Sequence, residues 1–347
     1  MDYAAAGLLT TVSTLAVAVS GPWRGRRLDR LGLRRTLAPS LIILPLLWAS
    51  FPWLPYVALI PLVAVAGLFT PPVFSIVRQG LVVAVPQHRR TALALDSVVV
   101  EIGFMLGPAL GIVVAGFLGT GWTVLIFEFV LVAATAGFAV ANPTMRSRTP
   151  DADATEARPP LRSWLTLPVA AVLAASVTAT LLLTGTELSV VAALRELNAA
   201  GLIGIILAIW GFGSAVGGIL YGAIGRPIDA FWLLFALALT TVPVAFTGTW
   251  WSMAGVLLLS GFFCAPTMAA TVEALTTSVP EAARGEALGW HGSALTGGSA
   301  LGAPVVGFMI DRAGWPAGFL TSGLLALAVA TIGLTLVGIR RRRRVAA

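Results

Sequence analysis

The sequence is poor in the residues that soluble proteins use for surfaces, disulfides and metal sites. It contains no lysine, one cysteine (Cys264), two histidines and three tyrosines, and charged residues make up only 11% of its 347 positions. A single cysteine excludes an intramolecular disulfide and a cysteine-based metal cluster. With so few charged side chains, a soluble domain of this length would lack a sufficiently polar surface. These absences argue against a soluble enzyme or a soluble binding domain.

Hydrophobic residues predominate in the sequence. They form 58% of the chain, and the mean hydropathy is +0.93, which predicts an integral membrane protein. All 22 basic residues are arginine, and together with the alanine, glycine and proline content this indicates a GC-rich bacterial genome. The net charge of +7 does not indicate nucleic-acid binding, because the arginines cluster in short loops and at the C-terminus.

Apolar runs long enough to cross a bilayer recur along the whole chain. A span needs roughly 20 apolar residues, which predicts an all-α polytopic membrane protein of about eleven transmembrane helices. A polar, proline-containing stretch at 143–163 leaves about five of them before it and about six after it. The predicted spans are 3–22, 36–52, 56–77, 92–117, 122–142, 164–188, 199–222, 229–247, 250–275, 285–309 and 317–338.

The polar stretch predicts a division into two helical bundles. We expect an N-terminal bundle at 1–142, a cytoplasmic linker at 143–163, and a C-terminal bundle with a basic tail at 164–347. Alternate threading through the bilayer collects most arginines on one side, which is then predicted to be cytoplasmic. The opposite side receives only Arg195 and Arg312. The collected arginines are those of 24–35, 78–90, 146–162 and 340–344, together with Arg226 and Arg284.

The most informative stretch is the basic loop at 21–35, between the first two spans. From Gly25 onwards it follows the pattern Gly-x-x-x-Asp-Arg-x-Gly-x-Arg-Arg. This pattern resembles the signature loop between the second and third helices of major facilitator superfamily transporters, although Leu33 replaces a usually basic residue. The resemblance implies a gating loop that stabilises the outward-facing state; the alternative is a loop that only sets topology. The matching residues are Gly25, Asp29, Arg30, Gly32, Arg34 and Arg35.

The resemblance also implies a parallel repeat of six helices in each half. Gly103-x3-Gly107-Pro108 in one half resembles Gly298-x3-Gly302-x-Pro304 in the other, and a degenerate copy of the basic loop lies at 221–229. Because the basic loop follows the first visible span, that span corresponds to the family's second helix. We therefore expect the first helix to be missing, through a misassigned or truncated start or as a natural short form.

A glycine motif lies in the span at 92–117. Gly103, Gly107, Pro108 and Gly111 resemble the antiporter motif of drug–proton antiporters, with Ile112 in place of the final glycine. Glycines at every fourth residue share one helix face and let helices approach closely in lipid. Static packing without any role in antiport is the alternative. We expect this face to pack against the glycines of the span at 199–222, which are Gly213, Gly217, Gly218 and Gly222.

Carboxylates inside a membrane are costly, so each one marks a candidate site for a proton or a substrate. We favour Glu101, about halfway along its span, and Glu187, in the helix that corresponds to the family's cavity-lining seventh. A structural acid is the alternative for each. The sequence contains no Gly-x4-Gly-Lys-Ser/Thr phosphate loop and no cluster of metal-ligating residues. We therefore expect no enzymatic activity, no cofactor and no metal.

These observations predict a secondary active transporter that works by alternating access in the bacterial cytoplasmic membrane. We expect a proton-coupled antiporter that performs efflux of a small drug-like or metabolite solute. Its partners would be that small-molecule substrate, protons and the lipid bilayer, without nucleic acid, and the protein would be monomeric. Two alternatives stay open. One is an uptake carrier for a sugar or metabolite, and the other is a transport-inactive membrane scaffold or a truncated gene product.

Overall fold

The computed structural model describes residues 3–145, 159–224 and 226–345, and over these residues the chain is helical without any β-strand. The helices are α1 Tyr3–Ser50, α2 Tyr56–Phe69, α3 Val73–Ala84, α4 Arg89–Leu118, α5 Thr120–Ala141, α6 Leu161–Trp164, α7 Leu167–Glu196, α8 Ile203–Ala223, α9 Ala230–Thr241, α10 Trp250–Gly261, α11 Cys264–Ser278, α12 Arg284–Ala313 and α13 Trp315–Val345.

Eight helical stretches within the described residues are long and apolar enough to cross a membrane. Three of them are composite. α2 with α3 forms one stretch, α10 with α11 forms another, and α1 covers two predicted spans. α1 comprises two helices that meet at a kink at Gly32, so the predicted spans 3–22 and 36–52 correspond to separate helices within it. The prediction of an all-α polytopic membrane protein is confirmed.

The basic stretch at 21–35 is mostly helical, and the prediction of an open loop was wrong there. α1 continues through these residues, because arginine is a good helix former. The interruption comes at Gly32, where φ is 74° and ψ is 179°. This region of backbone space is essentially restricted to glycine. Gly32 therefore separates two helical segments without a longer connection.

The chain divides into two compact units. The first contains residues 1–86, 103–160 and 279–297, and the second contains residues 87–102, 161–278 and 298–347. The start of α12 therefore belongs to the first unit, and the start of α4 belongs to the second. The predicted linker at 143–163 falls largely on residues 146–158, which lie outside the described residues. The division into bundles at that linker stays a prediction.

Each unit has its own apolar core. In the first unit, Leu28, Leu33 and Leu37 of α1 pack with Ile76 and Met145. Leu33 thus occupies a core position, which accounts for an apolar residue where the transporter pattern has a basic one. In the second unit, side chains of α7, α9 and α11 are fully buried, among them Leu182, Leu194, Leu234, Leu237 and Val272.

Candidate functional site

α1 and the start of α12 cross with their backbones in direct contact. A Cβ at Gly25 would collide with the carbonyl group of Gly285, and a Cβ at Gly21 would lie 2.8 Å from the carbonyl oxygen of Gly289. A Gly-x3-Gly pair on each helix therefore faces the pair on the other, the close approach that small residues permit in membrane helices. The sequence analysis predicted Gly25 but missed Gly285 and Gly289, whose four-residue spacing was the available signal.

Asp29 joins these two helices by capping α12. Its side chain is buried, and its two carboxylate oxygens accept hydrogen bonds from the backbone N–H groups of Gly285 at 2.9 Å and Glu286 at 2.8 Å. α12 begins at Arg284, so these are N–H groups of its first turn, which have no acceptor within their own helix. The carboxylate also lies at the positive end of the helix dipole. Asp29 is therefore an N-terminal cap that a different helix supplies.

Two further contacts accompany this cap. Arg26 donates from Nε and Nη2 to Oε1 of Glu286, at 3.1 and 2.6 Å. The Glu286 side chain is 3% exposed and the Arg26 side chain is 45% exposed, so only the cation reaches the surface. Ser293 Oγ donates to the carbonyl oxygen of Ala18. We refer to the contacts of residues 18–29 with residues 285–293 as the α1–α12 contact.

The other predicted gating residues do not bind α12 through the hydrogen bonds and ion pairs of the described structure. Arg34 donates from Nε and Nη2 to the carbonyl oxygens of Ala139 and Val140, at 2.9 and 3.1 Å. These carbonyls belong to the last turn of α5, whose acceptors are free of intrahelical partners. Arg30 and Arg35 are exposed. Of the predicted gating residues, Gly25 and Asp29 contact α12 and Arg34 contacts α5.

The second unit contains an ion pair at the start of α4. Arg90 donates from Nε and Nη2 to the two carboxylate oxygens of Glu273 on α11, at 3.0 Å each. Its Nη1 donates at 2.9 Å to the carbonyl oxygen of Ile224, just after α8. Tyr221 donates its hydroxyl to Glu273 Oε2 at 3.1 Å, and Arg89 Nη2 lies 3.7 Å from Glu273 Oε1. Two-pronged pairs of this kind are among the stronger ones in proteins. We refer to these contacts as the α4–α11 contact.

Small residues bring α4 and α8 together beside this ion pair. Thr91 Oγ1 donates to the carbonyl oxygen of Gly222 at 2.6 Å. A Cβ at Gly222 would lie 3.2 Å from Thr91 Cα, and one at Gly218 would lie 2.6 Å from Val98 Cγ2. Thus α8 packs on residues 91–98 of α4, one to three turns before the glycine motif.

The predicted packing of the α4 glycine motif on α8 stays a prediction. In the part of the chain that the structure describes, a Cβ at Gly103, Gly107 or Gly111 would meet no heavy atom within 4 Å beyond its own stretch of helix. Pro108 lies within α4 as well. On α8, Gly213 and Gly217 face the backbone near Leu258 and Phe262, while Gly218 and Gly222 face residues 91–98. The spacing of glycines in a sequence carries no information on which neighbour each one meets.

The structure describes the side chain of one of the two predicted proton or substrate carboxylates. Glu101 lies on α4, and its side chain is outside the described part of the structure. Glu187 is exposed on α7, one turn after Thr184, whose hydroxyl donates to Ser299 Oγ at 3.2 Å. Glu128 on α5 was not favoured from the sequence. Its Oε2 atom is buried and lacks a hydrogen-bond partner among the described residues.

Comparison with known proteins identifies the fold. A family model described as Major Facilitator Superfamily matches the chain in two overlapping segments, residues 1–229 and residues 184–347. Together the two matches cover the whole sequence, in agreement with the resemblance of the basic stretch. No curated protein matches the sequence.

Solved transporter structures share this fold at low sequence identity. The human organic anion transporter MFSD10 (TETRAN) superposes with a TM-score of 0.73 at 19% identity, covering 94% of this chain and 83% of its own. The E. coli fucose:proton symporter FucP gives a TM-score of 0.73 at 13% identity, with coverage of 96% and 91%. FucP in the outward conformation gives a TM-score of 0.68 at 14% identity, with coverage of 96% and 90%.

Proposed function

The chain belongs to the major facilitator superfamily of membrane transporters, and we propose that it is a secondary active carrier that exports a small drug-like or metabolite solute in exchange for protons. Alternating access requires contacts that hold helices together in one state and release them in the other. The α1–α12 contact supports this proposal most directly. It joins residues 256 and 257 positions apart through one carboxylate and two backbone N–H groups.

The chemistry of the α1–α12 contact suits repeated opening. Gly21, Gly25, Gly285 and Gly289 have no side chains that interlock, so separation requires no rearrangement of a side-chain core. The Asp29 carboxylate and the N–H groups of the first turn of α12 can both be hydrated after separation, because the predicted orientation places them at the cytoplasmic end. We infer that this contact closes the carrier on the cytoplasmic side.

The α4–α11 contact is the second component of this proposed gate. Arg90 connects α4 to both α8 and α11, and it is joined to Glu273 by two hydrogen bonds. Both contacts lie near predicted cytoplasmic helix ends. We infer that they open together when the solute site becomes accessible from the cytoplasm, and that they close when the site faces outward.

Proton coupling requires a carboxyl group that gains and loses a proton within the membrane. Glu128 supports this part of the proposal, because it is a carboxyl group on a candidate membrane-spanning helix whose Oε2 atom is buried without a hydrogen-bond partner among the described residues. Glu101 and Glu187 remain candidates for the same role or for solute binding. Structures with this fold include a proton symporter and an organic anion transporter, so the fold is compatible with proton coupling.

Transport by purified protein in liposomes tests the proposal. With an imposed pH gradient, we expect ethidium to move against its own gradient while protons move the opposite way, and both movements to stop when an ionophore collapses the gradient. Inward accumulation of sugars or metabolites instead would support the uptake alternative. If no solute moves under either gradient direction, the protein is a scaffold rather than a carrier. Liposomes without protein provide the baseline.

A further inference from the structure

Arg24 is a buried cation on α1, close to the α1–α12 contact. It is 5% exposed, and its Nη2 atom is buried without a hydrogen-bond partner among the described residues. Arginine does not lose its proton in proteins. A buried charge without a partner is costly, so native structures pair it or bind a counter-ion. Neither the gate nor the proton pathway proposed above uses this residue.

The direction in which the Arg24 side chain points follows from the contacts of its neighbours on α1. Gly25 faces α12, and Arg26 on one flank of that contact line bonds Glu286. At 100° per residue, Arg24 points to the opposite flank. Side chains four residues apart share a face, and both neighbours of Arg24 on that face point to the same pair of helices. Ser20 donates to the carbonyl oxygen of Gly67 on α2, and Leu28 packs in the apolar cluster with Ile76 of α3.

The level of Arg24 along α1 places it beside the start of α3. Val17 and Ser20 lie level with Gly67, and Leu28 lies level with Ile76. Arg24 is between these levels, where α2 has ended and α3 begins at Val73. The residue before α3 is Pro72, which supplies no side-chain cap. The N–H of Val73 donates to the carbonyl oxygen of Pro71 at 2.8 Å. The N–H groups of Phe74 and Ser75 in the same first turn have no acceptor within the helix and form its positive end.

Two acidic side chains lie in the α1–α12 contact, and both bind groups other than Arg24. Asp29 accepts from the backbone of α12, and Glu286 accepts from Arg26. Arg78, one turn into α3, is also buried and adds positive charge; its Nη1 lies 3.4 Å from His291 Nδ1. By its position along α1, the Arg24 side chain lies on the side of the helix that faces the N-terminus of α3.

We propose that Arg24 and the N-terminus of α3 form a binding site for an oxyanion, a carboxylate or phosphate group. The planar guanidinium fork matches the two oxygens of such a group, and backbone N–H groups at a helix start bind anions in the same way. The predicted cytoplasmic location makes two sources available. One is a soluble carboxylate or phosphate compound, and the other is the phosphate of a lipid headgroup.

Thermal unfolding of the full-length protein in neutral detergent is the first test. Inorganic phosphate is the probe, and sodium chloride at matched ionic strength is the reference. We expect phosphate to raise Tm saturably, because a ligand that binds only the folded state stabilises it. Phosphate also stabilises proteins non-specifically by exclusion from their surface, so the response must depend on Arg24.

Two substitutions of Arg24 test whether the rise in Tm with phosphate depends on this residue. Arg24→Met removes the charge and keeps the length of the chain, so without phosphate its Tm should equal or exceed that of the unaltered protein. Phosphate should no longer produce a saturable rise in its Tm. Arg24→Lys keeps a charge but loses the fork, and should bind phosphate about tenfold more weakly. Arg162→Gln, which removes an exposed arginine on the same predicted side, is the control that should respond normally.

Lipid nanodiscs distinguish the two sources of the anion. If the Arg24-dependent rise in Tm occurs with inorganic phosphate in phosphatidylcholine discs, the site takes soluble anions. If it requires added phosphatidylglycerol, the site takes the phosphate of an anionic lipid, which has no choline cation to neutralise it. The proposal is overturned if Arg24→Met responds to both probes as the unaltered protein does, if neither probe acts, or if this substitution lowers Tm markedly without phosphate. None of these readouts requires transport, so failure here leaves the proposed carrier function untouched.

Discussion

At the scale of single residues, Asp29 is a buried carboxylate that caps a helix from a distant part of the sequence. It is buried, it carries a charge, and it satisfies two N–H groups of a helix that begins 255 positions later in the sequence (284 − 29). Asp29→Asn keeps the size of the side chain but leaves one oxygen for two donors. We expect a loss of about 1.5–3 kcal/mol, the contribution of one hydrogen bond to a charged group, measured as reduced stability in detergent.

A matched control for this prediction lies on α12 itself. Asp311 is exposed in the last turns of the helix, so Asp311→Asn should change stability by less than roughly 0.5 kcal/mol. Equal stability of the Asp29→Asn protein and the unaltered protein would show that the cap contributes nothing.

Glu128 carries the residue-scale prediction for proton coupling. Glu128→Gln keeps the shape of the side chain but cannot release a proton. We expect liposomes with this variant to lose solute-driven proton movement while downhill solute exchange continues, measured with a pH-sensitive dye and a labelled solute. Glu196→Gln, at an exposed position at the end of α7, should keep both activities. Full coupling in the Glu128 variant would exclude this carboxyl as the proton carrier.

At the scale of helices, the α1–α12 contact depends on glycine at particular positions. A Cβ at Gly25 would meet backbone atoms of α12, which cannot move aside as a side chain can. Gly25→Ala should therefore destabilise the protein by about 1–3 kcal/mol, a typical cost of overpacking. A Cβ at Gly107 would meet no heavy atom within 4 Å among the described residues, so Gly107→Ala should be neutral or stabilising by up to about 1 kcal/mol, since alanine favours helix. Tm values of the two variants check both expectations, and a reversed order would contradict the described packing.

The α4–α11 contact permits a double-mutant cycle. The Arg90 and Glu273 side chains are 17% and 11% exposed, and they share two hydrogen bonds. We expect a coupling free energy of at least about 1 kcal/mol from Arg90→Gln, Glu273→Gln and the double variant. Arg89 is 29% exposed and lies 3.7 Å from the same carboxylate, so its cycle with Glu273 should give less than about 0.5 kcal/mol. Equal coupling free energies in the two cycles would mean that the two hydrogen bonds between Arg90 and Glu273 add no stability.

Local patterns predicted the helices better than their contacts. Apolar runs located the membrane helices, because the length of a span is set by the bilayer. The sequence analysis predicted a loop over residues 21–35, whereas the helix is interrupted only at Gly32. Arginine is a good helix former, so a basic stretch can continue a helix as well as form a loop. The contact of Gly25 with Gly285, and that of Arg90 with Glu273, join residues far apart in the sequence. Spacing within one helix carries no information on such partners.

The degenerate copy of the basic stretch shows the same limit. Asp229 occupies the position that corresponds to Asp29 by sequence, but it caps its own helix, accepting from the N–H of Phe231 at 2.9 Å. Asp29 instead caps α12. Similar residues in the two halves therefore make a local contact in one case and a long-range contact in the other, and only the three-dimensional structure distinguishes them.

At the scale of the whole molecule, the family match and the fold agree with the transporter predicted from the basic stretch. Family membership establishes a transporter fold, whereas direction, solute and coupling ion depend on individual side chains. The gate that we propose consists of two side-chain and backbone contacts, the α1–α12 contact and the α4–α11 contact. Its opening would expose a solute site of the whole carrier. The central claim of the proposed function is that the α1–α12 contact must open in every transport cycle.

Reversible cross-linking of Ala18→Cys with Ser293→Cys tests this claim most directly. Ser293 donates to the carbonyl oxygen of Ala18, so a short disulfide-containing bifunctional reagent should bridge the two cysteines in a Cys264→Ala background. We predict that cross-linked protein in liposomes stops moving solute and that a reducing agent restores transport. Solute movement at an unchanged rate through fully cross-linked protein would contradict the account.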